Sequence, residues 1–491
     1  MDKDKGFRLP ILGVIQSMIT AIGAVLLPFC LWFWRRPANL LVLVIVFSIF
    51  SASAIIVIGG LGVTPALLPT AMFVSLFAIN LFNNVHYPAE RQAFTIMLPF
   101  ILVTIGAVAS SIIMPRLFMG QVMVWPQKVS AFFVRSPLAP NAGNFTQDMY
   151  LIANAMLAVT AAAYLTRPGK VLPRLLDAYF ASGLLVILIA LWQFASTILH
   201  IPFPSSFFLS NPGWSQLDDQ TIGILTRLNG PFSEPSSLSA YMCASLSAAG
   251  WSVMNGDRRW LPRATFLGGI VVVLLSTATT GYVTMAAMAA LLLARVAIRA
   301  TPQMRRRVVL TVAGIGVAGG ISAVALPLAT PEAGQEATII LNSVLDKTQS
   351  ASYRARSQAD YDSLQEMMKT YGLGVGWGSN RSSSLLPGLL AAIGIWGVAG
   401  LLWFGFALTL RARQAMRMTR APDLQHVIRG TSASLLSSLI SALLSGPTIS
   451  SPDFYLLLAM LVAATARARF ETKAVWLPAP TDRSLSEPVP A

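Results

Sequence analysis

The sequence predicts an all-α, polytopic transmembrane helical bundle of about 12–14 spans with a long, partly helical outer loop. Three observations carry that expectation. Residues AVILMFWYC make up 55% of the 491, charged residues only 11%, and the mean hydropathy is +0.65. A soluble globular chain carries roughly 25% charge, so there are too few polar side chains to cover a water-soluble surface. Apolar runs of about twenty residues recur, the length a helix rising ~1.5 Å per residue needs to cross ~30 Å of hydrocarbon. The connections between them alternate between arginine-rich and charge-balanced. Secreted enzymes, soluble dehydrogenases and disordered scaffolds are excluded.

Spans are expected near 11–33, 40–60, 65–84, 93–114, 147–166, 178–199, 236–254, 262–278, 280–298, 307–327, 384–409, 428–446 and 452–466. No internal repeat is visible. Residues 1–410 form the bundle core with outer loops 200–235 and 328–383, residues 411–470 a basic inner loop and the last two spans, and 471–491 a disordered cytoplasmic tail. The stretch from Met1 to Arg8 leads into an apolar run too long for a signal peptide, so it is read as a retained first span.

Orientation follows from the connections. Segment 167–177 holds Arg167, Lys170 and Arg174 against one acid, and 255–263 holds Arg258, Arg259 and Arg263 against one acid. Segment 295–307 holds five arginines and no acid, and 411–429 five arginines against Asp423. By contrast 200–235 has Asp218, Asp219 and Glu234 against Arg227, and 328–383 has six acids and five bases. The basic connections are therefore inner and the two long ones outer. The net charge of +15 is explained the same way. No basic run is interleaved with base-stacking aromatics, so nucleic acid is not an expected partner. Two cysteines in apolar stretches, Cys30 and Cys243, and three scattered histidines, His86, His200 and His426, suggest no metal, cofactor or disulfide framework.

Chemistry then belongs on the outer face. Loop 200–235 ends Thr226-Arg227-Leu228-Asn229-Gly230-Pro231-Phe232-Ser233-Glu234-Pro235-Ser236-Ser237 before an apolar run. Pro235 suits the first helical position and Glu234 the N-cap. Free N–H groups there, with Arg227 close in sequence, make either an anion site or a simple capped helix start with an interfacial arginine. The second outer loop carries Tyr353-Arg354-Ala355-Arg356 and then a predicted helix to about Thr370. On it Tyr361, Leu364, Met368 and Tyr371 share a face that can lie against the membrane or a groove. Arg356 can alternatively pair with Asp360 four residues on.

Next comes Gly372-Leu373-Gly374-Val375-Gly376-Trp377-Gly378-Ser379-Asn380-Arg381, followed by three serines. Alternate glycines at Gly374, Gly376 and Gly378 permit tight turns whose amides can cradle an anion, with Asn380 beside them. No Lys-Ser/Thr follows, so it is not a Walker loop. Segment Ser276-Thr277-Ala278-Thr279-Thr280-Gly281 reads as small-residue packing at a tight outer hairpin. Three arginine-bearing outer segments can together hold a diphosphate, because guanidinium forks match phosphate oxygens.

In these motifs and their order the chain resembles the O-antigen polymerase and ligase superfamily, the bacterial Wzy-type polysaccharide polymerases and lipopolysaccharide O-antigen ligases. Arg227-Leu-Asn-Gly-Pro-Phe-Ser-Glu-Pro-Ser is similar to the family's Arg-x-x-Gly-x-Phe-x-x-Pro-Asn pattern. Leu275 to Gly281 stands where relatives often carry Thr/Ser-x-Ser-Arg, without the arginine. Tyr353-Arg354-Ala-Arg356, Gly374-Val-Gly-Trp-Gly-Ser and Gly394-Ile-Trp-Gly397 complete the likeness, which covers about residues 180–410. Ligase-like members place a His-Asn pair after the glycine-rich segment; here Arg381 and three serines stand instead, which favours a polymerase.

The resemblance implies a metal-independent membrane glycosyltransferase of the bacterial inner membrane with a periplasmic active site. Its donor would be an undecaprenyl diphosphate-linked oligosaccharide, and no nucleotide sugar or metal is required. Partners implied are the lipid bilayer and the chain-length regulator and flippase of the same pathway. Arg227, Arg354 and Arg381 are expected to meet the charge that grows on the leaving diphosphate, with Arg356 next in line. Glu234 is the candidate base for the acceptor hydroxyl, or else orients an arginine; Asp218 and Asp219 are the alternatives. The competing expectations are an O-antigen ligase, distinguished by its acceptor, and a polysaccharide or lipid-carrier flippase, which favours repeats and mid-membrane charges.

Overall fold

Helix packed on helix makes up almost all of the secondary structure. The computed structural model describes residues 19–58, 61–126, 134–212, 221–222, 225–299, 302, 305–306, 308–309, 350–446 and 449–476. Its helices are α1 (Ala21–Trp32), α2 (Pro37–Ser48), α3 (Leu67–Phe82), α4 (Glu90–Leu117), α5 (Ala142–Tyr164), α6 (Val171–Leu199), the single turn α7 (Ser205–Phe208), α8 (Pro235–Met254), α9 (Trp260–Leu275), α10 (Thr279–Arg299), α11 (Ala351–Lys369), α12 (Leu385–Met418), α13 (Pro422–Leu444) and α14 (Pro452–Trp476). Three short antiparallel hairpins interrupt them: β1 (Ile56–Ile58) with β2 (Leu61–Val63), β3 (Met123–Val124) with β4 (Ser136–Pro137), and β5 (Thr221–Ile222) with β6 (Leu225–Thr226).

Among the described residues α4, α6, α10, α12 and α13 are long and apolar enough to cross a membrane. The chain is an all-α polytopic membrane protein. Helices α5, α8 and α14 fill three further expected positions, and α8 and α14 are packed among several other helices. Helix α8 packs against α6, α9, α10 and α13, and α14 against α5, α12 and α13. Their buried faces, with Met242, Cys243, Leu457 and Ala463 almost fully covered, belong to one continuous core. Small residues allow the close approach: a Cβ on Gly183 of α6 would fall 2.3 Å from Ser245 Oγ of α8.

The expected spans differ from the structure near the start. The run 40–60 is helical only as far as Ser48, and α1 and α2, at 12 residues each, rise only ~18 Å. After Ser48 come small and β-branched residues, and the chain goes extended into β1 and β2. That buried non-helical backbone is satisfied from the 208–211 segment. Asn211 N–H donates to Ala52 O at 3.1 Å, and Ala54 N–H donates to Ser210 Oγ at 3.2 Å. Residues 471–476, expected in a disordered tail, instead continue α14 as helix. The rest of that tail, 477–491, and the expected span 307–327 apart from 308–309 lie outside the described residues.

Contacts sort the connections onto two ends. At one, Arg259 pairs with Asp177 and Asp257, each at 2.8 Å, and Arg467 Nη1 donates to Gly169 O at 3.3 Å. At the other, Arg227 reaches Thr277, Arg356 reaches Glu234, and Arg381 N–H donates to Trp125 O at 2.7 Å. The described parts of the arginine-rich connections thus share one end, and those of the two long loops the other.

Helix α12 shapes the loop end. At Gly394 (φ 69°, ψ −176°) its helical path breaks. The glycine-rich loop enters the break and takes over the lost ladder: Val375 N–H donates to Ala391 O at 2.7 Å and Ile395 N–H to Gly372 O at 2.9 Å. Only glycine fits there, since a Cβ on Gly374 would lie 2.7 Å from Ala391 O and one on Gly394 2.3 Å from Gly372 O.

Candidate functional site

At the loop end the start of α8, the α9–α10 turn and the first turns of α11 converge. Pro235 is the first residue of α8 and Glu234 its N-cap, extended at φ −144° and ψ 150°, with no capping bond from its own carboxylate. That carboxylate is left free to turn outward: Oε2 accepts from Ser236 Oγ at 3.0 Å and lies 4.0 Å from Arg356 Nη2. Arg227 lies on the same patch. Its Nε donates to Thr277 Oγ1 and its Nη2 to Thr277 O, both at 3.3 Å. Thr277 can offer both oxygens because it sits in the left-handed region at φ 50°.

Among the described residues, two guanidinium groups, Arg227 and Arg356, share the patch with one carboxylate, Glu234. Burial, and then the like charge of Arg356, hold Arg227 below the ordinary guanidinium value, and Tyr282 and Glu234 oppose this only in part. An anion placed between Arg227 and Arg356 would relieve both effects. The arrangement can therefore bind a phosphate or diphosphate beside a carboxylate able to take or direct a proton.

Of the residues expected at the site, Arg227, Glu234 and Arg356 are brought together. Arg354, two residues earlier on α11, is exposed and its guanidinium makes no hydrogen bond or ion pair among the described residues. Arg381 is exposed and lies beside Trp125 through its backbone. Asp218 and Asp219 lie outside the described residues.

The glycine-rich loop works differently from an anion cradle. It is buried, and several of its amides already have acceptors inside the protein: Gly374 N–H donates to Thr370 Oγ1 at 3.0 Å, Val375 N–H to Ala391 O at 2.7 Å and Trp377 N–H to Ser110 Oγ at 3.3 Å. Gly376 and Gly378 sit so tightly on Ser110 O and Asn144 Cα that a Cβ would come within 2.6 and 2.9 Å. Asn380 is likewise structural, accepting from Trp125 N–H at 2.9 Å and donating to Ser363 Oγ at 2.9 Å. The pairing of Arg356 with Asp360 is also replaced. Asp360 instead caps α12 from outside, accepting from Ser382 Oγ (2.6 Å), Ser383 N–H (2.8 Å), Ser384 N–H (3.0 Å) and Ser384 Oγ (2.7 Å).

Sequence reasoning missed a second polar network. Helix α11 buries its polar face and exposes Tyr361, Met368 and the following Tyr371. Asp362 accepts from Trp125 Nε1 at 2.9 Å and Gln358 Nε2 at 3.0 Å, and pairs with Arg135 at 3.3 Å. Glu366, fully buried, is 3.6 Å from Arg135 and accepts no hydrogen bond among the described residues. Burial pushes its carboxyl up to about 9, Arg135 pulling the other way. Gln358, Asp362 and Glu366 recur every fourth residue, a signal for one polar helix face. A nearby cavity of about 190 Å³, lined by Val124, Ser136 and Asn141 among others, contains none of the expected site residues.

No protein-family model matches the chain, and no curated protein matches it significantly.

Proposed function

We propose that the chain is a membrane polysaccharide polymerase, transferring lipid-diphosphate-linked oligosaccharide repeat units to a sugar hydroxyl. One observation supports this most: Arg227 and Arg356, from loops more than a hundred residues apart, share a patch with Glu234 and a helix N-terminus. In the reaction the bond between the anomeric carbon and the phosphate oxygen breaks and a bond to the acceptor oxygen forms. The diphosphate lipid leaves, and the hydroxyl proton passes to Glu234 or to the leaving phosphate. Arg227 and Arg356 oppose charge that is larger in the transition state than in the bound donor, which is what accelerates the step. Arg354 and Arg381, exposed at the same end, fit contacts farther out along the donor. The undecaprenyl carrier, the periplasmic side and the bacterial inner membrane belong to this proposal.

The test is extension of a lipid-linked oligosaccharide by purified protein in detergent, where no compartments exist and transport gives no product. Wild type is expected to yield longer lipid-linked chains, and Arg227→Ala or Arg356→Ala to cut the rate about 10²-fold or more, as loss of a fixed transition-state donor does. No extension by wild type, or undiminished extension by both variants, would remove the reading. Transfer only onto a lipid A-core acceptor would make the enzyme a ligase.

A further inference from the structure

At the opposite, arginine-rich end, three helices bring together hydrogen-bond donors that have no acceptor among the described residues. Trp251, in the last turn of α8, and Asn255, its C-cap, lie one turn apart. Arg295 of α10 stands over the Trp251 ring, 5.1 Å from its centroid. Arg429 of α13 donates from Nη1 to Asn255 Oδ1 at 3.2 Å. Both Trp251 Nε1 and Arg429 Nε are buried and have no hydrogen-bond partner among the described residues. The charged neighbour of Arg429 is another cation, Arg295. At this end Asp257 and Asp177 pair with Arg259, and Asp257 also faces His426 at 3.9 Å.

Buried donors without acceptors are costly, a charged one especially. Here two of them adjoin a pair of like charges. A single tetrahedral oxyanion answers every one of these demands, since its oxygens can accept from the indole and the guanidinium while its charge separates the arginines. The surroundings are those of a lipid. Leu291, Leu293 and Ile298 are exposed on α10 around Arg295, offering an apolar track for an acyl chain. Basic pockets between spanning helices are where anionic headgroups gather.

We propose that α8, α10 and α13 form a binding site for the headgroup phosphate of an anionic glycerophospholipid, held by Trp251, Arg429 and Arg295. The site is separate from the Arg227–Arg356 patch and does not depend on the activity assigned there.

Native mass spectrometry of the delipidated full chain, offered phosphatidylglycerol or phosphatidylcholine, tests it. Wild type is expected to retain one phosphatidylglycerol about tenfold more strongly than phosphatidylcholine, a typical gain for charge-assisted hydrogen bonds. Arg429→Ala and Trp251→Phe should each lose most of that preference. Trp251→Phe keeps an aromatic ring and drops only the donor, so its loss cannot be ascribed to unfolding. Arg258→Ala, an exposed arginine at the same end, should change nothing. Equal retention of both lipids overturns the proposal, as does unchanged selectivity in Trp251→Phe, or an equal loss in Arg258→Ala. Excess inorganic phosphate should not displace the lipid; displacement would assign the pocket to a free anion instead.

Discussion

Arg227 owes its position to Thr277, a residue whose sequence context shows only small side chains. Both hydrogen bonds to Thr277 hold the guanidinium near Arg356, against the repulsion between them. Thr277→Val removes the hydroxyl while keeping the shape. It is expected to lower kcat for chain extension about tenfold, and Thr277→Ser to restore most of the rate. Equal rates in all three proteins would show that Arg227 needs no such support. Glu366 gives a prediction of different kind. Its folded carboxyl is raised from 4.5 to about 9, so the folded state binds the proton more tightly than the unfolded chain does. That contribution is fully present below about 4.5 and is lost as pH rises toward about 9. Melting temperature in detergent should fall across that window, and Glu366→Gln, neutral throughout, should flatten the fall. Parallel pH profiles for the two proteins would contradict a buried neutral Glu366.

Among elements, α12 shows why a glycine-rich stretch can look like an anion loop and be something else. Sequence alone shows four alternate glycines, and tight turns with exposed amides follow reasonably from them. What it hides is the partner, a helix broken at Gly394 whose unpaired groups the loop completes. Gly394 occupies a backbone region essentially closed to other residues, so Gly394→Ala should cost ~2 kcal/mol or more, before any clash with Gly372 O. Gly405, on the same helix with open space around it, is the control. Gly405→Ala should be neutral or stabilise by up to ~1 kcal/mol, as helix propensity dictates. Thermal unfolding of both variants separates a glycine required by geometry from one that is merely tolerated. Similar melting temperatures would mean that the break carries no strain for alanine.

For the molecule as a whole, composition and the twenty-residue period suffice to give the helical membrane class, and Pro235 and Glu234 mark the start of α8 from local chemistry alone. Asp360 as a cap for α12, Arg135 against Asp362 and Thr277 against Arg227 are long-range pairings that no local pattern encodes. The short α1 and α2 were hidden for another reason, because an apolar run does not reveal where its backbone leaves the helix when distant groups such as Asn211 satisfy it. The two-ended arrangement of connections is the property on which an outward-facing site depends, and it can be measured directly. Cys30 and Cys243 are buried, so the native chain offers little thiol background. Arg354→Cys and Arg258→Cys place single exposed thiols at the loop end and at the arginine-rich end. Because arginine-rich connections are retained on the cytoplasmic side during insertion, an impermeant maleimide added to intact cells with a permeable outer layer should label Cys at 354 and spare Cys at 258. Inverted vesicles should reverse the pattern. Labelling of both thiols from one side would place the Arg227–Arg356 patch and the arginine-rich end on the same face, and a glycosyl transfer site opposite the basic connections would have no membrane to separate it from them.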